Sequence, residues 1–478
     1  MTDLVRLGGA PRSPPPAETA PSTPSAPAPL RRVFVQTFGC QMNEVDSDRM
    51  VELLARHRYV RAATPEEADL ILVNTCAVRE KGAQKLLSSL GRLRAVKARR
   101  GAILAVAGCV AQQEREELLR RVPYLDLVIG PDNVARLPEL VDRALDHERV
   151  VATAWLDPGV YRFPRADPEA ARGRVTAFVT VMKGCDNVCA FCIVPRTRGR
   201  EISRPVAEVL AECADLAAAG VREVTLVGQN VNSYRGGCGF PELLRRVAAL
   251  PGIARIRFTT SHPHDLSSDL VAALRDEPKV MPHVHLPLQS GSDAVLARMR
   301  RDYDVEAYLS RHQALARARP GVAITTDFIV GFPGETEEDF QGSLRVLERA
   351  GFENSFAFLF SPRPGTAAAR RLGSAPEWAE VPRPVASERL ERLLALQRRI
   401  TGARYAAEVG AEVEILVEGE GDEPGRRVGR TPENRLVHLD ATAAEAPAGR
   451  LARVRVTRAG RVSLTGRLAG APAAGEAG

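Results

Sequence analysis

From Arg32 onward, apolar runs and amphipathic helical patterns take turns along the chain, and this alternation restricts the fold more than any other feature. The runs "RRVFVQT", "DLILVNT", "AILAVAG" and "LDLVIG" have the length of strands, and helical patterns such as "DSDRMVELLARH" and "AQQEREELLRRV" separate them. Strands apolar on both faces need cover on both faces, which crossover helices between parallel strands provide. The expectation is a doubly wound parallel α/β sheet over residues 32–150. A linker containing Pro and Arg is expected over 151–172, and then the alternation resumes with "VTAFVTV", "REVTLVG", "ARIRFTT", "HVHLPLQ", "AITTDFIVG" and "NSFAFLF". Six βα units predict a partial (βα)6 barrel over 173–400, short of the eight of a closed one. After the helical "ASERLERLLALQRRITGARY", short runs such as "EVEILVEG", "RRVGRTPENRLVHL", "ARVRVTRAG" and "SLTGRL" predict a small β-barrel over 404–467. Residues 1–31, rich in Pro and Ala, and 468–478 read as disordered tails, too poor in large apolar side chains to fold.

Eight cysteines punctuate this pattern. Cys40, Cys76 and Cys109 each follow the end of a predicted strand, the edge at which open α/β sheets bind ligands. The alternative is three small buried residues. Cys213 falls in a helical pattern and reads as core; Cys238, in a loop, receives no role. Cys185, Cys189 and Cys192 lie in "MKGCDNVCAFCIVPRTRGR", just after the first strand of the second series. Barrel active sites are built at that end. Zinc normally takes four ligands, often as two close pairs, and no second close pair exists here. A 4Fe-4S cluster takes one cysteine per iron, so three leave one iron open. No apolar run is long enough to span a membrane and no signal peptide is evident, so a cytoplasmic protein with no membrane partner is expected. In that setting clustered cysteines point to metal rather than disulfides. The net charge of +7 suits an acidic partner such as nucleic acid, or simply a solvated basic surface.

The Cys-x3-Cys-x2-Cys spacing, with Phe191 before the last cysteine, resembles the radical S-adenosylmethionine enzymes. That resemblance implies a 4Fe-4S cluster on Cys185, Cys189 and Cys192 and S-adenosyl-L-methionine on its open iron, yielding a 5'-deoxyadenosyl radical. Three dispersed cysteines upstream and a small β-domain downstream narrow the resemblance to the methylthiotransferase family, over about residues 32–467. It implies a second, auxiliary 4Fe-4S cluster on Cys40, Cys76 and Cys109, and a trailing RNA-binding module of the TRAM kind. "TFGCQMNEVDSDRM", "LVGQNVNSYRG", "TTDFIVGFPGETEEDF" and "GRTPENRLVHL" resemble the bacterial branch that modifies isopentenylated adenosine in tRNA. For that branch the implied reaction adds a methylthio group to carbon 2 of N6-isopentenyladenosine beside the anticodon. The base must leave its stack to reach the barrel mouth.

By the same resemblance Gln229, Asn230, Gln289, Ser290 and Asp327, at or near strand ends, are candidate cofactor or substrate contacts. Satisfied polar groups at strand ends are the alternative. "GFPGET" could approach an adenine or be a turn before a helix. His283 and His285 share one face of a strand and suit polar packing. Arg196, Arg198 and Arg200 flank the cysteine loop and suit tRNA phosphate, or merely reflect the arginine richness of the chain. The implied partners are the tRNA anticodon stem-loop, S-adenosyl-L-methionine and an electron donor such as a flavodoxin or ferredoxin, with the protein a monomer. The rival readings are a methylthiotransferase acting on threonylcarbamoyladenosine or a ribosomal-protein aspartate, and a non-catalytic iron–sulfur RNA-binding protein.

Overall fold

The protein is described here from a computed structural model, covering residues 30–469 except 78, 79, 422 and 424. The tails expected at 1–31 and 468–478 fall almost wholly outside these residues. Within them Arg31 already belongs to the first strand and Leu468 ends the last.

Among the described residues the first unit is a six-stranded parallel sheet. Its strands are β1 (Arg31–Phe38), β2 (Tyr59–Arg61), β3 (Leu70–Thr75), β4 (Ile103–Gly108), β5 (Leu127–Ile129) and β6 (Val150–Ala152), in the order β2-β1-β3-β4-β5-β6. Every residue of β3 and β4 is buried, as expected for strands covered on both faces. β2 and β6 were not expected: at three residues each they carry no readable period, and β6 lies where the linker was expected to begin. β1, β3 and β4 are neighbours in register, Phe38 opposite Thr75 and Thr75 opposite Gly108, so their C-terminal ends lie level.

The second unit contains β7 (Thr176–Thr180), the short ribbon β8 (Met182–Lys183) and β9 (Ile202–Ser203), then β10 (Glu223–Val227), β11 (Arg255–Phe258), β12 (His283–His285), β13 (Ala323–Val330) and β14 (Asn354–Leu359). β7, β10 and β11 form one parallel sheet and β12, β13 and β14 another. A single bridge, Ile256 to Val280, carries the wall from one to the other. The result is an open six-stranded arc around an apolar cluster that includes Val179, Leu226, Ile256, Val284 and Phe328. β12 is shorter than the expected run: Leu286 N still donates to Thr325 O at 2.8 Å, but beyond Pro287 Leu288 N turns to the side chain of Thr326 at 2.9 Å and the regular ladder ends.

The helix Arg383–Ala407 crosses from the arc to the third unit; Gln397 donates to Phe352 O at 3.2 Å and Thr401 to Glu353 O at 2.9 Å. That unit is a closed barrel, β15 (Glu412–Glu420), β16 (Arg427–Arg430), β17 (Leu436–Leu439), β18 (Leu451–Ala459) and β19 (Ser463–Leu468), in the order β15-β16-β17-β19-β18. "RRVGRTPENRLVHL" is two strands rather than one run, broken by the turn through Pro432 and Asn434, the latter at φ 72°.

Polar groups buried at the joints fix how the units meet. Arg49 of the helix Gln41–Ala55 donates to both carboxylate oxygens of Glu52, to Glu212 at 3.2 Å and to Phe178 O at 3.3 Å, while Arg204, wholly buried, pairs with the other oxygen of Glu212. At the other joint Arg257 pairs with Glu223 and donates to Thr431 O and Pro432 O, both at 2.8 Å; Arg255 donates to Arg430 O at 2.7 Å. The turn of the closed barrel is thereby held against β11.

Candidate active site

The level ends of β1, β3 and β4 bring Cys40, Cys76 and Cys109 together. Cys40 precedes the helix Gln41–Ala55 and Cys109 opens the helix Cys109–Glu114. The approach is close: at Gly39, with φ 134°, a Cβ would stand 2.3 Å from the Cβ of Cys76. Beneath them Asn43 and Asn74, both fully buried, bond to one another: Asn43 Nδ2 donates to Asn74 Oδ1 at 3.2 Å and Asn74 Nδ2 to Asn43 O at 2.8 Å. Hydrogen bonds from the Cys76 thiol, against the opposing effect of burial and with help from the Arg198 charge, lower the Cys40 and Cys109 thiols to about 7 and about 6. Cys76, as the shared donor, is pushed up. Thiolate is the metal-binding form, so two of the three stand close to readiness.

Cys185, Cys189 and Cys192 sit on the loop after β8, at the C-terminal mouth of the arc. Burial pushes the Cys185 and Cys192 thiols up to about 11 and about 12, so loading a metal there must release protons. Cys189 Sγ accepts a hydrogen bond from Arg301 Nη1 at 3.3 Å. Arg301 is itself pinned by the Tyr303 hydroxyl at 2.7 Å and Pro287 O at 3.1 Å. Gln229 Oε1 accepts from Gly184 N, next to Cys185, while Gln229 Nε2 is a buried donor lacking a hydrogen-bond partner among the described residues. A buried orphan amide beside three cysteines suits a polar ligand in that mouth. Among the described residues no group of three His, Cys, Asp or Glu side chains is arranged to hold a single metal ion. Cluster ligands each bind a different iron and need not converge on one point, so both cysteine trios fit 4Fe-4S chemistry by donor type.

The other candidates divide by what already engages them. Asn230 donates to Asp265 Oδ2 at 2.7 Å and accepts from His262 N at 3.1 Å, so both ends of its amide are engaged in holding the loop after β11. Gln289 adopts φ 80°, unusual for a residue with a side chain, and bridges to Phe328. Ser290 is buried and its Oγ accepts from Ser292 N at 3.3 Å. Asp327 lies 3.4 Å from His285 Nε2, opposite the exposed Phe356 of β14. "GFPGET" is packed tightly against chain at its second glycine: a Cβ at Gly334, φ 73°, would lie 2.1 Å from Glu377 O. His285 takes the polar packing expected of it, its Nδ1 lying 3.0 Å from Thr325 Oγ1. Cys213 is core, as expected.

Arg198 corrects the reading of the loop arginines as phosphate contacts. Arg196 and Arg200 are exposed, Arg200 pairing with Asp186 at 2.7 Å. Arg198 is only 5% exposed and donates to Asp46 Oδ2 at 2.6 Å and Asn43 Oδ1 at 3.2 Å, in the first unit. Sequence spacing does not show that an acid 152 positions upstream neutralises it. Nor did it disclose Lys183, whose ammonium lies 4.4 Å from the Tyr161 ring and pairs with buried Asp132 of the first unit. Arg301 was missed for want of any motif around it.

Comparison with known proteins agrees with this architecture. The model of the uncharacterized protein family UPF0004 matches residues 32–130, that of the Radical SAM superfamily 179–347, and that of the TRAM domain 406–469. A solved radical S-adenosylmethionine methyltransferase, TsrM from Kitasatospora setae, superposes with a TM-score of 0.55 at 16% identity over 72% of this chain and 78% of that one, which fixes the fold alone. A three-cysteine loop at the mouth of an open parallel arc, inside the superfamily match, defines a radical S-adenosylmethionine protein, a class that works with S-adenosyl-L-methionine and a 4Fe-4S cluster. The chain is 70% identical over 469 residues to the tRNA-2-methylthio-N(6)-dimethylallyladenosine synthase of Anaeromyxobacter sp. (strain K), covering 98% of this chain and all of the relative. It is 57% identical over 440 residues to that of Myxococcus xanthus (strain DK1622), covering 92% and 94%. The chain belongs to the tRNA-2-methylthio-N(6)-dimethylallyladenosine synthase family.

Proposed function

We propose that this protein is a radical S-adenosylmethionine methylthiotransferase that adds a methylthio group to carbon 2 of N6-isopentenyladenosine beside the tRNA anticodon. The observation that carries the reading is the pair of cysteine trios, each at the C-terminal edge of its own parallel sheet, joined where Arg198 from the loop of one pairs with Asp46 beside the other. The names of the relatives support the same substrate. In this reading Cys185, Cys189 and Cys192 ligate the 4Fe-4S cluster of the arc, and Cys40, Cys76 and Cys109 ligate a second one. When bound in the arc, the cluster supplies the electron that turns S-adenosyl-L-methionine into a hydrogen-abstracting 5'-deoxyadenosyl radical.

The chain's own residues bind and orient. Arg301 steadies Cys189; Gln229 offers its unmatched amide to the bound S-adenosyl-L-methionine; Gln289, Ser290 and Asp327 line the approach; Asn230 acts by holding the His262 loop. The division that follows from this reading is 32–150 for the auxiliary-cluster domain, 151–172 for the linker, 173–400 for the radical domain and 404–467 for the module that grips the anticodon stem-loop. Tails at 1–31 and 468–478 complete it. A flavodoxin or ferredoxin type of donor, a monomeric state and a cytoplasmic setting complete the proposal; among the described residues no helix is long and apolar enough to cross a membrane.

The test is anaerobic. The protein is reconstituted with iron and sulfide, given reductant, S-adenosyl-L-methionine and isopentenylated anticodon stem-loop RNA, and the digest is read by mass spectrometry. A 2-methylthio product together with 5'-deoxyadenosine is the expected result. Deoxyadenosine without that product would redirect the chemistry to another target, and neither product from iron-loaded protein would leave a binding protein.

A further inference from the structure

Arg198 is a buried cation that the reaction described above does not use. It follows the cysteine loop of the arc, yet its side chain ends among residues of the first unit. The chain reaches there because Ile193, next to Cys192 and 2% exposed, packs in the apolar cluster that contains Cys109, Val110 and Ala111. The helical turn Val194–Thr197 then lies against the helix Cys109–Glu114. Arg198 Nη2 donates to Asp46 Oδ2 at 2.6 Å and to Asn43 Oδ1 at 3.2 Å, and that same Oδ1 accepts from Cys40 Sγ at 3.7 Å. A guanidinium cannot shed its proton, so the positive charge is permanent. A buried charge persists only beside opposite charge. Asp46 supplies that charge, and the cysteine trio lies just beyond it, Cys40 joined to Arg198 through Asn43 Oδ1.

We propose that Arg198 is a positioning residue that sets the reduction potential of the iron–sulfur cluster held by Cys40, Cys76 and Cys109, with Asp46 acting in the opposite sense. The proposal rests on the reading of those cysteines as ligands of a second cluster. Reduction adds negative charge to a cluster, so a fixed cation at its edge favours the reduced form and a fixed anion disfavours it. Cluster potentials follow net charge, hydrogen bonding to sulfur and solvent exposure, and groups behind the ligands tune them. Because the cation arrives on the loop that carries the other three cysteines, the potential of one site depends on the other loop being docked.

The experiment uses the full chain with Cys185, Cys189 and Cys192 all changed to Ala, so that iron reports the upstream site alone. Each variant is reconstituted anaerobically with iron and sulfide, and its midpoint potential is measured by dye-mediated titration followed by electron paramagnetic resonance. Arg198→Met is expected to shift the midpoint to lower potential, Arg198→Lys to leave it near the parent, and Asp46→Asn to shift it upward. Opposite signs are the signature, because mere loosening of the site would move both variants the same way. Unmoved midpoints, or shifts of one sign in Arg198→Met and Asp46→Asn, would overturn the proposal. Should Arg198→Met fail to take up iron, Asp46→Asn decides alone, an upward shift supporting the proposal and any other result ending it. A parent that takes up no iron with Arg198 intact would instead refute the second-cluster reading, and this inference with it.

Discussion

At Gly39 the backbone passes Cys76 so closely that a methyl group has no room, and its φ of 134° is one that residues with a Cβ rarely adopt. Gly39→Ala is therefore expected to disturb the upstream trio and spare the other: iron content should fall by roughly half while deoxyadenosine formation persists, since the strain is confined to one site. Two cysteine changes should separate the trios chemically. Cys189→Ala is expected to abolish deoxyadenosine production, and normal yield would refute its assignment. Cys76→Ala should leave S-adenosylmethionine cleavage intact and stop methylthiolation; unchanged product would make the upstream cysteines structural. The cysteines could be found in the sequence because their spacing and their place after strands are local facts. Arg198 could not, because its meaning is set by Asp46 and Asn43, which only the folded chain brings alongside.

The elements show the same division. β1, β3 and β4 were legible as long apolar runs, whereas β2 and β6 gain their strand character only from pairing with neighbours. β12 is shorter than its apolar run because Leu288 N bonds to the Thr326 side chain instead of continuing the backbone ladder, which the sequence does not show. Between elements, the helix Gln41–Ala55 is tied to the helix Val206–Ala218 through Glu212, which faces both Arg49 and Arg204. All three are buried, and without Glu212 Arg49 keeps only Glu52 and Arg204 only the half-exposed Glu208, so two buried guanidinium groups each lose a charge partner. Glu212→Ala is expected to cost about 3–5 kcal/mol, read by denaturant unfolding, whereas changing an exposed pair such as Arg172–Glu169 should cost about 0–1 kcal/mol.

For the molecule as a whole, acid is a condition that the buried histidines make costly. Burial holds the rings of His262 and His283 down to about 3 and that of His312 to about 4, against an ordinary 6.5. His262 Nδ1 accepts from His264 N at 3.2 Å, a bond that protonation of that nitrogen would remove. Below pH 6.5 the unfolded chain takes up protons that these rings refuse, so stability present above that pH is lost as pH falls toward 3. Each histidine contributes up to about 1.4 kcal/mol per pH unit within that window. Denaturation midpoints at pH 7 and 5 should therefore differ, and His312→Gln should narrow the difference; a flat profile would show that the rings are solvated.

The seat that the first unit provides for Ile193 and Arg198 also has a chronology. A chain made from its N-terminus completes the six-stranded sheet before the loop that follows Cys192 exists, and domains tend to fold in that order. The socket is ready when its plug is synthesised. The reverse is not available: a barrel folding first would hold an apolar side chain and a permanent cation with nowhere to put either. The order of synthesis thus favours a sequence of events, in which the host of one cysteine trio forms before the loop bearing the other comes to rest.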